Sequence, residues 1–157
     1  GFLAVRFWIG VLAVGVALGT ASAAQARYTV EPTLTRVAGV ETRCYEPGTW
    51  DRGGEYGGWY DGVISLAPWA CRWIGRTLDG DRPGGWRRTL TAKSWHLFAH
   101  EVAHSQGYDH GEATVGAACQ GWRIMRPLMR AAGVSRGYAR ALWISSAHRA
   151  SCPSSAP

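Results

Sequence analysis

Charge is scarce in this chain and unevenly placed. Only 18% of its 157 residues are charged, against about a quarter in ordinary soluble domains. No acidic residue follows Glu112, and every basic residue except Lys93 is an arginine. So little charge excludes a disordered polyelectrolyte, and nine Trp with 21 Gly describe a compact, loop-rich domain instead. No apolar run reaches the about 20 residues that a membrane-spanning helix needs. There is no internal repeat, no nucleic-acid-binding motif and no C-x-x-C pair. The acidic loop Asp79–Gly85 lacks the periodic ligands and closing Glu of a calcium loop.

What is present begins with an export signal. Arg6 precedes an apolar stretch from Phe7 to Gly19, and the small residues Thr20–Ala26 follow it. A charged start, an apolar middle and a small-residue exit describe a secretory signal peptide, with cleavage expected after Ala26 and an uncleaved membrane anchor as the lesser alternative. The expected organisation is a signal peptide over 1–26, one domain over 27–150 and a flexible tail over 151–157. Cys44, Cys71, Cys119 and Cys152 make an even count in a small exported domain and so imply two disulfides. Three pairings are open. The net charge of +6 is concentrated in Arg123, Arg126, Arg130, Arg136, Arg140 and Arg149. Such asymmetry draws a protein toward an anionic surface such as a cell-wall polymer or nucleic acid. The plainer reading is a solvated helix face.

Strand-like spacing is weak over 27–43. The Gly-, Trp- and Tyr-rich residues 44–62 read as loop, with aromatics suited to a sugar, a peptide or the plugging of a small core. Val63–Leu66 is the best strand, stopped by Pro68. Helices are expected over Trp69–Leu78, Thr89–Gln106, Gly111–Ala132 with Gly133 as its cap, and from a Ser135 cap to Trp143. The fold class is therefore α+β: a small antiparallel strand element before a helical half.

One of those helices carries chemistry. In His100-Glu101-Val102-Ala103-His104 the two imidazoles stand at i and i+4 on one helix face, so both can reach a single ion. Zinc takes two such nitrogens and a third protein ligand, leaving a fourth position open. Glu101 is then the general base of the hydrolysis. Two readings of the third ligand stay open. Gly107 and His110 complete the metzincin-type spacing His100-Glu101-x-x-His104-x-x-Gly107-x-x-His110. Met125 and Met129, the only Met-turn candidates, fall in a helical stretch, and the upstream chain is poor in strands. Glu112, at the start of the next helix, is the gluzincin-like choice and is slightly preferred, with Asp109 in reserve. His96 shares the stripe but stands about 12 Å along the axis from His104, too far to share its ion. It is expected at the surface or behind the ligands. His148 is expected to be solvated. Tyr108, Tyr138 and the Arg123/Arg126/Arg130 stripe are candidate electrophiles for which core or solvent roles come first.

The stretch 97–104, then Gly111-Glu112-Ala113, then Cys119, with Ile64–Pro68 and Cys71 upstream, resembles small secreted metallopeptidases of actinobacterial type. The resemblance covers roughly 60–145. It implies a zincin-like fold, a Zn2+ cofactor held by His100, His104 and Glu112 or His110, and a protein or peptide substrate. Gly111 and Ala118 depart from that pattern, which has Asp and a second Glu there. The expectation is a secreted, monomeric zinc metalloendopeptidase without a specific nucleic-acid partner. A cell-wall or glycan binding module, or an inactive peptidase-like domain, is the alternative.

Overall fold

The computed structural model describes residues 33–45, 57–60, 62–110, 116–147 and 152. The expected signal segment, Glu112, His148 and most of the aromatic loop lie outside these residues. The described chain is α+β. Strands β1 (Thr33–Val37), β2 (Val40–Cys44), β3 (Gly57–Tyr60) and β4 (Val63–Leu66) precede helices α1 (Pro68–Leu78), α2 (Gly85–Ser105), α3 (Ala117–Ala131) and α4 (Arg136–Ser145).

The sheet has the order β1-β2-β4-β3 and is mixed rather than wholly antiparallel. β1 and β2 form a hairpin in which Val37 faces Val40 across Ala38 and Gly39. Both turn residues have positive φ, 51° and 81°, as the tight turn matching strand twist requires. β3 and β4 form a second hairpin, with Tyr60 opposite Val63. The second hairpin lays β4 against β2 in parallel and leaves β3 outermost. β3 occupies part of the stretch expected to be loop. Its signal was Asp61-Gly62, a pair that favours two-residue hairpin turns.

Pro68 opens α1, where its missing N–H costs nothing. Ala70, Trp73, Ile74 and Thr77 bury one face of that helix. α2 is central. From Thr91 onward it buries Ala92, Trp95, Phe98, Ala99, Val102 and Ala103, with Trp95 and Phe98 edge to face at 6.0 Å. Its buried hydroxyls are satisfied on the helix itself: Thr91 donates to the Arg87 carbonyl and Ser94 to that of Leu90. α3 lies along α2, burying Trp122, Met125 and Met129, so both methionines are core residues. The core joins Ile64 and Leu66 of the sheet to α1, α2, α3 and α4. Gly133, at φ 88°, follows the last turn of α3 as expected. Ser135 stands at the start of α4 but makes no side-chain cap bond.

Two disulfides staple this frame. Cys44–Cys71 joins the end of β2 to α1, and Cys119–Cys152 joins α3 to the stretch expected to be a flexible tail. Cys152 is buried with Cys119 and Trp122. The bridges are those of an oxidising compartment. Among the described residues, no helix is long and apolar enough to cross a membrane.

Candidate metal centre

α2 sets the first two side chains of the site. His100 and His104 are one turn apart, half-buried, with their Nε2 atoms 2.9 Å from each other. The helix ends one residue later. Gly107 donates to the His104 carbonyl and Tyr108 to that of Ala103, the paired closing bonds of a glycine-terminated helix. Gly107 takes φ 92°, a region costly for any residue with a Cβ. The turn sends the chain back along the helix, and His110 returns to the pair. Its Nε2 lies 3.2 Å from that of His100 and 3.1 Å from that of His104.

The tautomer of His104 can be read from its other nitrogen. Nδ1 is 2.6 Å from the Tyr108 carbonyl oxygen, which can only accept, so Nδ1 carries the proton. The neutral ring then presents a bare lone pair at Nε2, toward the other two imidazoles. A second hydrogen bond of this kind orients and fixes histidine ligands in metal sites. The three Nε2 atoms form a triangle with edges of 2.9, 3.1 and 3.2 Å. Zinc–nitrogen bonds of about 2.0–2.1 Å in a tetrahedron place neighbouring nitrogens about 3.3 Å apart. The triangle has nearly the dimensions of one tetrahedral face, and the group can hold a metal ion.

Glu101 stands next to His100 in sequence and is buried. It is 6% exposed and lies against β3: a Cβ built on Gly57 would stand 3.2 Å from both its Cγ and its Oε1. A side chain at residue 57 would therefore crowd the carboxylate, which glycine does not. Sequence reading missed Gly57, because the residues around it read as loop.

His96 is not at the surface. It is 7% exposed, and its Nε2–H donates to the Ala118 carbonyl at 2.9 Å, tying α2 to the first turn of α3. The ring takes no part in the three-histidine group. Ala118 thus contributes a main-chain acceptor where the resembled pattern has a carboxylate. Asp109 contributes its carbonyl, which accepts from Ala117, and its side chain is exposed. Tyr108 serves through its main chain, and Tyr138 donates its phenol to the Pro83 carbonyl. The chain matches no protein-family model, no curated protein and no solved structure.

Proposed function

We propose that the chain is a secreted zinc-dependent peptidase of the kind its motif resembles, with His100, His104 and His110 as the metal ligands. The convergence of three Nε2 atoms, one of them fixed as a lone pair by Tyr108, carries this reading. Neutral imidazoles are the usual donors for zinc, and three of them leave a fourth position for chemistry. When bound, zinc supplies Lewis acidity and lowers the pKa of water at that open position to about 7.

The chain's own residues do the rest. Glu101, next to His100 in sequence, takes the proton from the attacking water and returns it to the leaving amine. Its burial against Gly57 excludes bulk water from the carboxylate and limits its rotamers. Among the described residues β3 is an outermost strand of the sheet and lies beside that carboxylate, and an extended peptide would add there as a further strand.

Metal analysis of the full oxidised protein, purified without chelator, tests the reading: about one zinc per chain is expected. Metal content near zero at neutral pH overturns it. Glu101→Gln should keep zinc and abolish hydrolysis of a protein substrate. His110→Ala should lose metal affinity, whereas Glu112→Ala should keep it. The reverse pair of results would make the carboxylate the third ligand.

A further inference from the structure

His110 is exposed, whereas His100 and His104 are half-buried. The whole run from Ser105 to His110 is exposed, so burial does not hold the third ring beside the other two. Main-chain hydrogen bonds flank it instead. On one side Tyr108 donates to the Ala103 carbonyl of α2. On the other, the Asp109 carbonyl accepts the Ala117 N–H at 2.8 Å, and that bond reaches across from α3.

The bond from Ala117 serves both of its ends. Ala117 is the first residue of α3, and Gly116 before it makes no side-chain cap bond. The first N–H groups of a helix have no partner within it. Here the residue before His110 supplies one with its carbonyl. Ala117 is fully buried, where an unmade N–H bond carries the whole desolvation cost of the donor. The third imidazole and the start of α3 are thereby fixed to each other.

His96 fixes the start of α3 to α2. Its Nε2–H donates to the Ala118 carbonyl at 2.9 Å, from a ring that is 7% exposed. A carbonyl only accepts, so this nitrogen keeps its proton. The ring lies one turn before His100, with centroids 6.2 Å apart, so it stands behind the ligands and not among them. A connected path runs from His96 to Ala118 and Ala117, then to Asp109 and His110. Each hydrogen bond on it is one residue from the next link.

We infer that His96 is a positioning residue of the metal centre. It holds the first turn of α3 where Ala117 can clasp Asp109, and through that clasp it keeps His110 beside His100 and His104. This role rests on the metal reading of the three-histidine group. Losing a partner that orients metal ligands lowers metal affinity about 10–100-fold.

The test uses the full oxidised protein, with zinc itself as the probe. His96→Leu removes the donor without adding bulk and should weaken zinc binding about tenfold. His96→Asn, whose amide falls short of the carbonyl, should do the same and gives a second, polar way of losing the bond. His96→Gln carries an amide N–H at the reach of the imidazole Nε2 and should stay within about threefold of the parent. In a His110→Ala background, His96→Leu should change the residual zinc affinity less than about twofold, because the ligand it positions is gone. In metal-free protein, the Ala117 amide should exchange at least about tenfold faster in His96→Leu and at the parent's rate in His96→Gln. A parent that binds no zinc overturns the metal reading and this role with it. A parent that binds zinc, matched by His96→Leu, overturns this role alone. So does a loss that His96→Gln fails to restore, a loss that recurs undiminished without His110, or an unchanged Ala117 exchange rate. Any of these would make His96 a packing residue between α2 and α3.

Discussion

Gly121 of α3 rests on the backbone of His100: a Cβ added there would stand 2.8 Å from both the N and the Cα of that histidine. Neither atom can move without moving the helix that carries the metal ligands. Gly121→Ala should therefore displace α3 from α2, and overpacking of this kind costs about 1–3 kcal/mol. Urea unfolding measures the loss, and zinc titration should show weaker binding in the same variant. Gly75→Ala is the control. It lies inside α1 with nothing within 4 Å of the added carbon, and should stabilise by about 0.5–1 kcal/mol.

Gly57 makes a comparable contact with a different consequence. Its added Cβ would meet the Glu101 side chain at 3.2 Å and the Ser65 carbonyl at 3.3 Å. Gly57→Ala should shift the carboxylate while leaving the three imidazoles alone. Zinc affinity should stay within about twofold, and hydrolysis should fall at least about tenfold, as misplacing a general base implies. A matched fall in zinc binding would show that Glu101 and the histidines are not separable in this way.

Much of the site was legible because helical periodicity is local. His100, Glu101 and His104 are fixed relative to one another by 3.6 residues per turn, and Gly107 marked the end of their helix. The return of His110 was legible only as a spacing, because bringing it back depends on a left-handed glycine and two closing hydrogen bonds. Glu112 was slightly preferred for its place at the start of the expected next helix, and it lies outside the described residues. The strands were harder to read. Ala38 in the first hairpin turn has φ 51°, a conformation that its type does not advertise, and Asp61-Gly62 was hidden within an aromatic, glycine-rich stretch. The parallel pairing of β2 with β4 is a long-range choice that no local pattern encodes. The arginine stripe was visible as a helix face. That Trp143 of α4 packs beside that face is a long-range contact which no local pattern encodes.

Tyr138 offers a test of how α4 is tied to the rest of the fold. Its hydroxyl donates to the Pro83 carbonyl at 2.9 Å, holding the loop before α2. Burial pushes the phenol's pKa up from its ordinary value, so the folded state favours the neutral donor. The resulting stability is complete below the unfolded-state pKa and is lost as pH rises through the higher folded-state pKa. Tyr138→Phe should cost about 1 kcal/mol at neutral pH. Its stability should also fall less steeply than that of the parent in alkaline urea titrations. Parallel pH curves for the two proteins would count against a coupled phenol.

The turn at Gly107 gives the most direct test of the three-histidine group. Gly107 has φ 92°, and among the described residues nothing lies within 4 Å of where a Cβ would be, so the cost of alanine there is conformational. Forcing a residue with a Cβ into this region costs about 1–2 kcal/mol. The chain can relieve that strain by letting the turn open, but doing so breaks the bonds from Gly107 to His104 and from Tyr108 to Ala103. The Tyr108 carbonyl then leaves His104 Nδ1, and His110 leaves the other two rings. Gly107→Ala should therefore lose zinc affinity by at least about tenfold, as loss of groups that orient metal ligands does. Global stability of the metal-free protein should fall by no more than about 2 kcal/mol, the strain itself. Gly80→Ala provides the comparison, since Gly80 has a similar φ of 97° and equally open surroundings but follows α1. It should carry a similar stability cost with unchanged zinc binding. Zinc affinity unaffected by Gly107→Ala would mean that His110 is not held by this turn, and the ligand set would have to be sought again.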